Sequence, residues 1–85
     1  MYYVYVLKSL KDGRIYTGYT SNLKLRIKQH KQGLVQSTKN RRPVELVYYQ
    51  AFLSKIDARN EEKYLKSGGK AKNSLKLCIK NSLGP

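Results

Sequence analysis

Only five of the 85 residues are Asp or Glu, and one of them stands where a surface charge should not. At about 100° per residue, Ala58, Glu62 and Leu65 share one face of a helix. Glu62 therefore sits in the middle of the stripe that should meet a sheet, with Glu61 at its edge. Burying a carboxylate unpaired costs several kcal/mol, so Glu62 requires a Lys or Arg partner, a metal ion or water. An upstream helix places Leu23, Ile27 and His30 on one face, with Arg26 at the edge. Arg26 and His30 are i, i+4 neighbours. A guanidinium there either snorkels to solvent or holds an anion. An imidazole titrates near pH 6.5, which suits acid–base work, although a lone His is also a common core residue. Two phenols, Tyr5 and Tyr16, lie on segments that read as strands. Tyr3 and Gly18 share their face, and Gly18 two residues after Tyr16 marks a close approach of backbone or ligand.

The charge balance names the partner class. Eighteen Lys and Arg residues against five acids give a formal net charge of +13. That surplus is the electrostatic footprint of nucleic-acid binding. Membrane-surface binding and plain solubility are the competing readings, but the lysines are spread along the chain and not gathered on one amphipathic helix. Other classes drop out. One cysteine, Cys78, cannot form an internal disulfide or a cysteine zinc cluster, and it is expected to pack within the last helix. One histidine excludes His-rich metal sites and paired-His catalysis. The apolar run Tyr2 to Leu7 is too short for a signal segment or a membrane span. The expectation is a single domain over residues 1–85, located in the cytoplasm and independent of membranes.

These residues need a small scaffold to hold them. Tyr2–Leu7 and Ile15–Thr20 read as strands joined through the Asp12-Gly13 turn, which makes a β-hairpin. Thr20, Ser21 and Asn22 are N-cap candidates for a helix over Leu23–Gln32 that stops at Gly33. Gln36–Pro43 reads as a basic loop and Val44–Phe52 as a third strand. Ser54-Lys55-Ile56-Asp57 resembles a capping box that opens a helix to Lys66, ended by Gly68-Gly69. Leu75, Ile79 and Leu83 suggest a last short helix. The order is ββαβαα. It predicts an α/β (α+β) fold: a three-stranded, mostly antiparallel sheet with helices packed on it.

The constellation resembles the GIY-YIG nuclease superfamily. Tyr3-Val4-Tyr5 matches the first half-motif and Tyr16-Thr17-Gly18 the second. Arg26 follows the second tyrosine by ten residues, where the family's helix Arg falls, and His30 takes the +4 position. Glu62 matches the family's metal-binding Glu, within Glu62-Lys63-Tyr64-Leu65-Lys66. The likeness spans nearly the whole chain and is strongest to the small stand-alone bacterial members. The sequence departs from the pattern at Tyr3, which replaces Gly, at Thr17, which replaces Ile, and at Tyr19, which occupies a Lys position of the excision-repair incision subunit.

The resemblance implies an endonuclease that hydrolyses phosphodiester bonds in DNA with one divalent ion, Mg²⁺ or Mn²⁺, on Glu62. So few carboxylates leave little for a two-metal site. It implies Tyr5, Tyr16, Arg26, His30 and Glu62 as the catalytic set. Tyr16 acts as general base or orients the water, with His30 as the alternative base. Arg26 binds the scissile phosphate and Tyr5 hydrogen-bonds the water or the phosphate. Gly18, Tyr19, Lys24, Lys28, Lys31, Lys39, Arg41, Arg42, Lys70 and Lys72 are expected to contact nucleic acid. Such contacts position without specifying, so selectivity is expected for single-stranded or branched structure over base sequence. Tyr19 is also a candidate to stack on unpaired bases. The alternative is a non-catalytic binding module for DNA or RNA. Accessory subunits and oligomeric state stay open.

Overall fold

The computed structural model describes residues 1–84. β1 (Tyr2–Ser9) and β2 (Ile15–Thr20) form the hairpin, α1 spans Leu23–Lys31, and β3 spans Val44–Phe52. Three helices follow: α2 (Lys55–Lys66), α3 (Gly69–Cys78) and the short α4 (Lys80–Leu83). The strands pair antiparallel in the order β2-β1-β3. The predicted ββα-β-helical order and sheet are therefore present.

β1 is the central strand and supplies both cores, as the alternation of a strand requires. Val4 and Val6 point to one face and meet Ala58, Leu65, Leu75 and Ile79 from α2, α3 and the residue that follows α3. Tyr5 and Leu7 point to the other face and meet Val44, with Leu23, Ile27, Tyr16 and Leu46 packed alongside. So α1 covers one face and the C-terminal helices cover the other.

The helix starts follow the sequence signals. Asn22 Oδ1 accepts from the Leu25 N–H at the head of α1, and Ser54 Oγ accepts from the Asp57 N–H at the head of α2. Each cap satisfies one of the free donors at a helix start.

Three expectations need revision. The last helix is two pieces: α3 begins directly after Gly68, and the chain breaks at Ile79 before α4. The i, i+4, i+8 series spans that break because Leu75, Ile79 and Leu83 all face the same core. The Gln36–Pro43 segment is not wholly irregular, since Lys39–Arg41 makes a 3₁₀ turn and Thr38 beside it is buried. Cys78 ends α3 exposed to solvent, not packed. Among the described residues, no helix is long and apolar enough to cross a membrane.

Candidate active site

The hairpin register sets the first half of the site. Tyr5 pairs with Gly18 and Leu7 with Tyr16, so Tyr5 and Tyr16 project diagonally from one face, as the alternation predicted. Their ring centroids lie 6.5 Å apart. Gly18 is buried, and a Cβ there would collide with Cζ and Oη of Tyr5. The close approach that demands a glycine is therefore Tyr5 lying across β2, and the expected approach of nucleic acid to Gly18 is set aside.

α1 brings the second half. Its inward face delivers His30 to the tyrosines, with ring centroids 5.5 Å from Tyr5 and 5.4 Å from Tyr16. His30 Nε2 lies 2.7 Å from the Tyr5 hydroxyl and Nδ1 lies 2.7 Å from Thr38 Oγ1. His30 and Thr38 are 0% exposed and Tyr5 is 1% exposed. Burial, reinforced by the Arg26 cation, holds the imidazole pKa down at about 4, so the ring is neutral at pH 7. Both ring nitrogens are engaged and neither meets solvent. This geometry does not suit His30 as the base that takes a proton from water.

Burial raises the Tyr5 phenol above the ordinary tyrosine value, and the Tyr16 and Glu62 charges push the same way; Arg26 beside it pulls down. The phenol keeps its proton at neutral pH and serves as a hydrogen-bonding group. Arg26 is half-buried at the edge of the cluster, and its guanidinium also donates to Gln29 Oε1 at 3.3 Å.

α2 supplies Glu62 from the other side of β2. Its side chain is 14% exposed, and it pairs with Lys66 at 2.9 Å and Arg59 at 3.7 Å. Of the three partners open to this mid-stripe carboxylate, it has taken cations. Lys66 links Glu62 to the tyrosines, since its Nζ lies 6.0 Å from the Tyr16 ring centroid. A cleft of about 210 Å³ opens there, walled by Tyr16, Thr17, Leu65, Lys66, Gly68 and Lys72. Of the two phenols expected to be catalytic, Tyr16 lines this cleft, and Lys66 and Lys72 make it electropositive.

The outer residues divide. Lys24, Lys28, Lys31, Lys39, Arg42, Lys70 and Lys72 are exposed, while Arg41 is half-buried. The Arg42 guanidinium folds over Gly33. Tyr19 departs from its expected role. It points to the α2 side of the sheet, stacks on Tyr2 at 6.4 Å and carries Arg59 at 5.0 Å from its ring centroid. It is half-buried core packing, because its register partner Val4 faces that core. Thr38, Lys66 and Arg59 were not singled out from sequence. Arg59 and Lys66 meet Glu62 at i, i+3 and i, i+4 within α2, a spacing the helix period makes legible, whereas Thr38 meets His30 across elements and local pattern carries no sign of it.

A family model described as the GIY-YIG catalytic domain matches residues 1–76. The chain belongs to the GIY-YIG family. A UPF0213 protein of Clostridium perfringens is 48% identical over 67 residues, covering 78% of this chain and 71% of the relative. A UPF0213 protein of Staphylococcus saprophyticus is 42% identical over 77 residues, covering 89% and 92%. The solution NMR structure of a UPF0213 protein from Bacillus halodurans superimposes with a TM-score of 0.58 at 39% identity, over 100% of this chain and 89% of that one. Within the GIY-YIG family this chain is thus a small, UPF0213-like member. Membership supports a nuclease activity and a nucleic-acid substrate.

Proposed function

We propose that this GIY-YIG protein is a metal-dependent endonuclease that hydrolyses phosphodiester bonds in DNA and selects by strand structure. The observation that carries the reading is the convergence of Tyr5, Tyr16, His30 and Arg26 on one sheet face beside a lysine-lined cleft, with Glu62 reached through Lys66.

Glu62 fits a hard divalent ion. It is a single carboxylate paired with Lys66, which lines the cleft, and among the described residues no three acidic, His or Cys side chains gather around a point. An ion held by one carboxylate and keeping most of its waters describes Mg²⁺. Its chemistry would be to offset the negative charge that builds on the phosphoryl oxygens and the leaving oxygen.

The chain's own groups do the rest. In hydrolysis a water oxygen bonds to phosphorus, the P–O3′ bond breaks, the water gives up a proton and the leaving oxygen gains one. Tyr16 lines the cleft and orients the water; it takes the water's proton as its own hydroxyl proton passes to solvent, and solvent supplies the proton of the leaving oxygen. The planar Arg26 guanidinium binds two oxygens of the phosphate. Tyr5, protonated and pinned by His30, donates to the phosphate or the water. Lys66 and Lys72 hold the flanking backbone electrostatically.

One observation favours a non-catalytic binding module instead: Glu62 is already neutralised by Lys66 and Arg59, as a purely structural carboxylate would be. A cleavage assay separates the two. Single-stranded, duplex and branched DNA are incubated with purified protein and Mg²⁺, Mn²⁺ or EDTA. The nuclease reading expects metal-dependent products that vanish in Tyr16→Phe and Glu62→Ala. DNA binding that survives EDTA, with no product attributable to those residues, supports the binding module and ends the catalytic reading.

A further inference from the structure

Thr38 has no part in the chemistry described above, yet it closes a buried chain of three groups. Its Oγ1 stands 2.7 Å from His30 Nδ1, and His30 Nε2 stands 2.7 Å from the Tyr5 hydroxyl. Thr38 and His30 are wholly buried and Tyr5 nearly so, so water does not join the chain. The Thr38 hydroxyl makes no other hydrogen bond among the described residues.

The protons can be counted. A neutral imidazole carries one N–H, and each hydroxyl carries one O–H. Three protons serve two hydrogen bonds, so one proton must point away at one end of the chain. If Tyr5 donates to Nε2, then Nδ1–H donates to Thr38, and the spare proton is the Thr38 hydroxyl's. That end is sealed and offers no acceptor, which is an unfavourable way to bury a donor. If Thr38 donates to Nδ1, then Nε2–H donates to the Tyr5 oxygen, and the spare proton is the Tyr5 hydroxyl's. That end adjoins Tyr16 and Arg26, where in the proposed reaction an oxygen of the phosphate bound by Arg26 accepts it.

We propose that Thr38 is a positioning residue whose hydroxyl donates to Nδ1, locks His30 in the Nε2–H tautomer and thereby turns the Tyr5 hydroxyl proton toward the substrate side. The hydrogen bond made by one ring nitrogen commonly decides which nitrogen carries the proton. The proton count stands on the hydrogen-bond geometry alone, and the choice of tautomer and its effect on rate rest on the nuclease reading, in which Tyr5 donates to the phosphate.

The test reads the tautomer directly. Long-range ¹H–¹⁵N correlation spectra of ¹⁵N-labelled protein at pH 7 distinguish a protonated from an unprotonated ring nitrogen. Wild type is expected to show Nε2 protonated and Nδ1 bare. Thr38→Val removes the donor and is expected to shift His30 toward the Nδ1–H form, while Thr38→Ser retains the wild-type pattern. In the cleavage assay, Thr38→Val is expected to lower kcat roughly ten- to a hundredfold with KM little changed, and Thr38→Ser to restore it. An Nδ1–H tautomer in wild type overturns the proposal, even if Thr38→Val does not fold. So does a folded Thr38→Val with an unchanged tautomer, or one that changes KM alone. If wild type cuts no DNA, the nuclease reading fails while the spectrum still judges Thr38.

Discussion

His30 does not titrate where histidines usually do. Burial first, and the Arg26 cation second, take its pKa from 6.5 to about 4 in the folded protein. The unfolded chain therefore binds a proton that the folded chain refuses between those two values. Stability is complete above about pH 6.5 and falls as the pH drops toward 4, by roughly 3 kcal/mol at most. Denaturant melts across that range check it, with His30→Gln expected to flatten the slope. A wild-type profile no steeper than the variant's contradicts the burial argument. Glu62 makes the complementary case. Its partners Lys66 and Arg59 are 48% and 58% exposed, and such pairs contribute about 0–1 kcal/mol. Glu62→Gln should cost less than about 1 kcal/mol in a melt and yet abolish metal-dependent cleavage. A large loss of stability with cleavage retained would mark the carboxylate as structural.

At the scale of elements, the hairpin and α1 form one device. β2 places Gly18 under the Tyr5 ring, and α1 places His30 at the tip of that ring. A methyl at residue 18 forces the ring away, and the ring cannot move without leaving its histidine. Gly18→Ala should therefore destabilise by about 1–3 kcal/mol and lower cleavage more than binding. The measurement pairs a thermal melt with the His30 ring ¹⁵N spectrum, and an unperturbed spectrum speaks against the coupling. The basic segment before β3 belongs to the same device. Its Thr38 is tied to α1 through His30, and the Ser9 hydroxyl donates to the Arg41 carbonyl at 2.7 Å. The 3₁₀ turn at Lys39–Arg41 is thereby anchored to β1, and its cations are held to a defined geometry.

At the scale of the molecule, a +13 chain faces a polyanion. Binding to DNA releases counterions, so affinity must fall steeply with salt. Each lysine that touches phosphate adds about one to the magnitude of the log–log slope. Lys72 lines the cleft beside Tyr16. Lys72→Ala should therefore reduce that slope by about one and weaken binding alike for all sequences, as titrations at several salt concentrations would reveal. A slope unchanged by the substitution removes Lys72 from the phosphate path. The two cores divide labour about β1. The face of Val4 and Val6 packs α2 and α3, and the face of Tyr5 holds the polar cluster.

The sequence by itself determined the strands, the helix starts, the hairpin pairing, the strand face shared by Tyr5 and Tyr16 and the helix side shared by Arg26 and His30, because alternation, caps and helical spacing are local. It also exposed Glu62 as a charge inside an apolar stripe. Tertiary structure alone decided what each group does there. It spent Gly18 on the Tyr5 ring, turned Tyr19 into the α2-side core and split the last helix at Ile79. It buried Thr38 against His30. The physical reason is the range of the interactions. Secondary structure answers to neighbours within a few residues, whereas the Thr38–His30–Tyr5 chain joins residues 8 and 25 positions apart and exists only once the loop, α1 and β1 have closed around it.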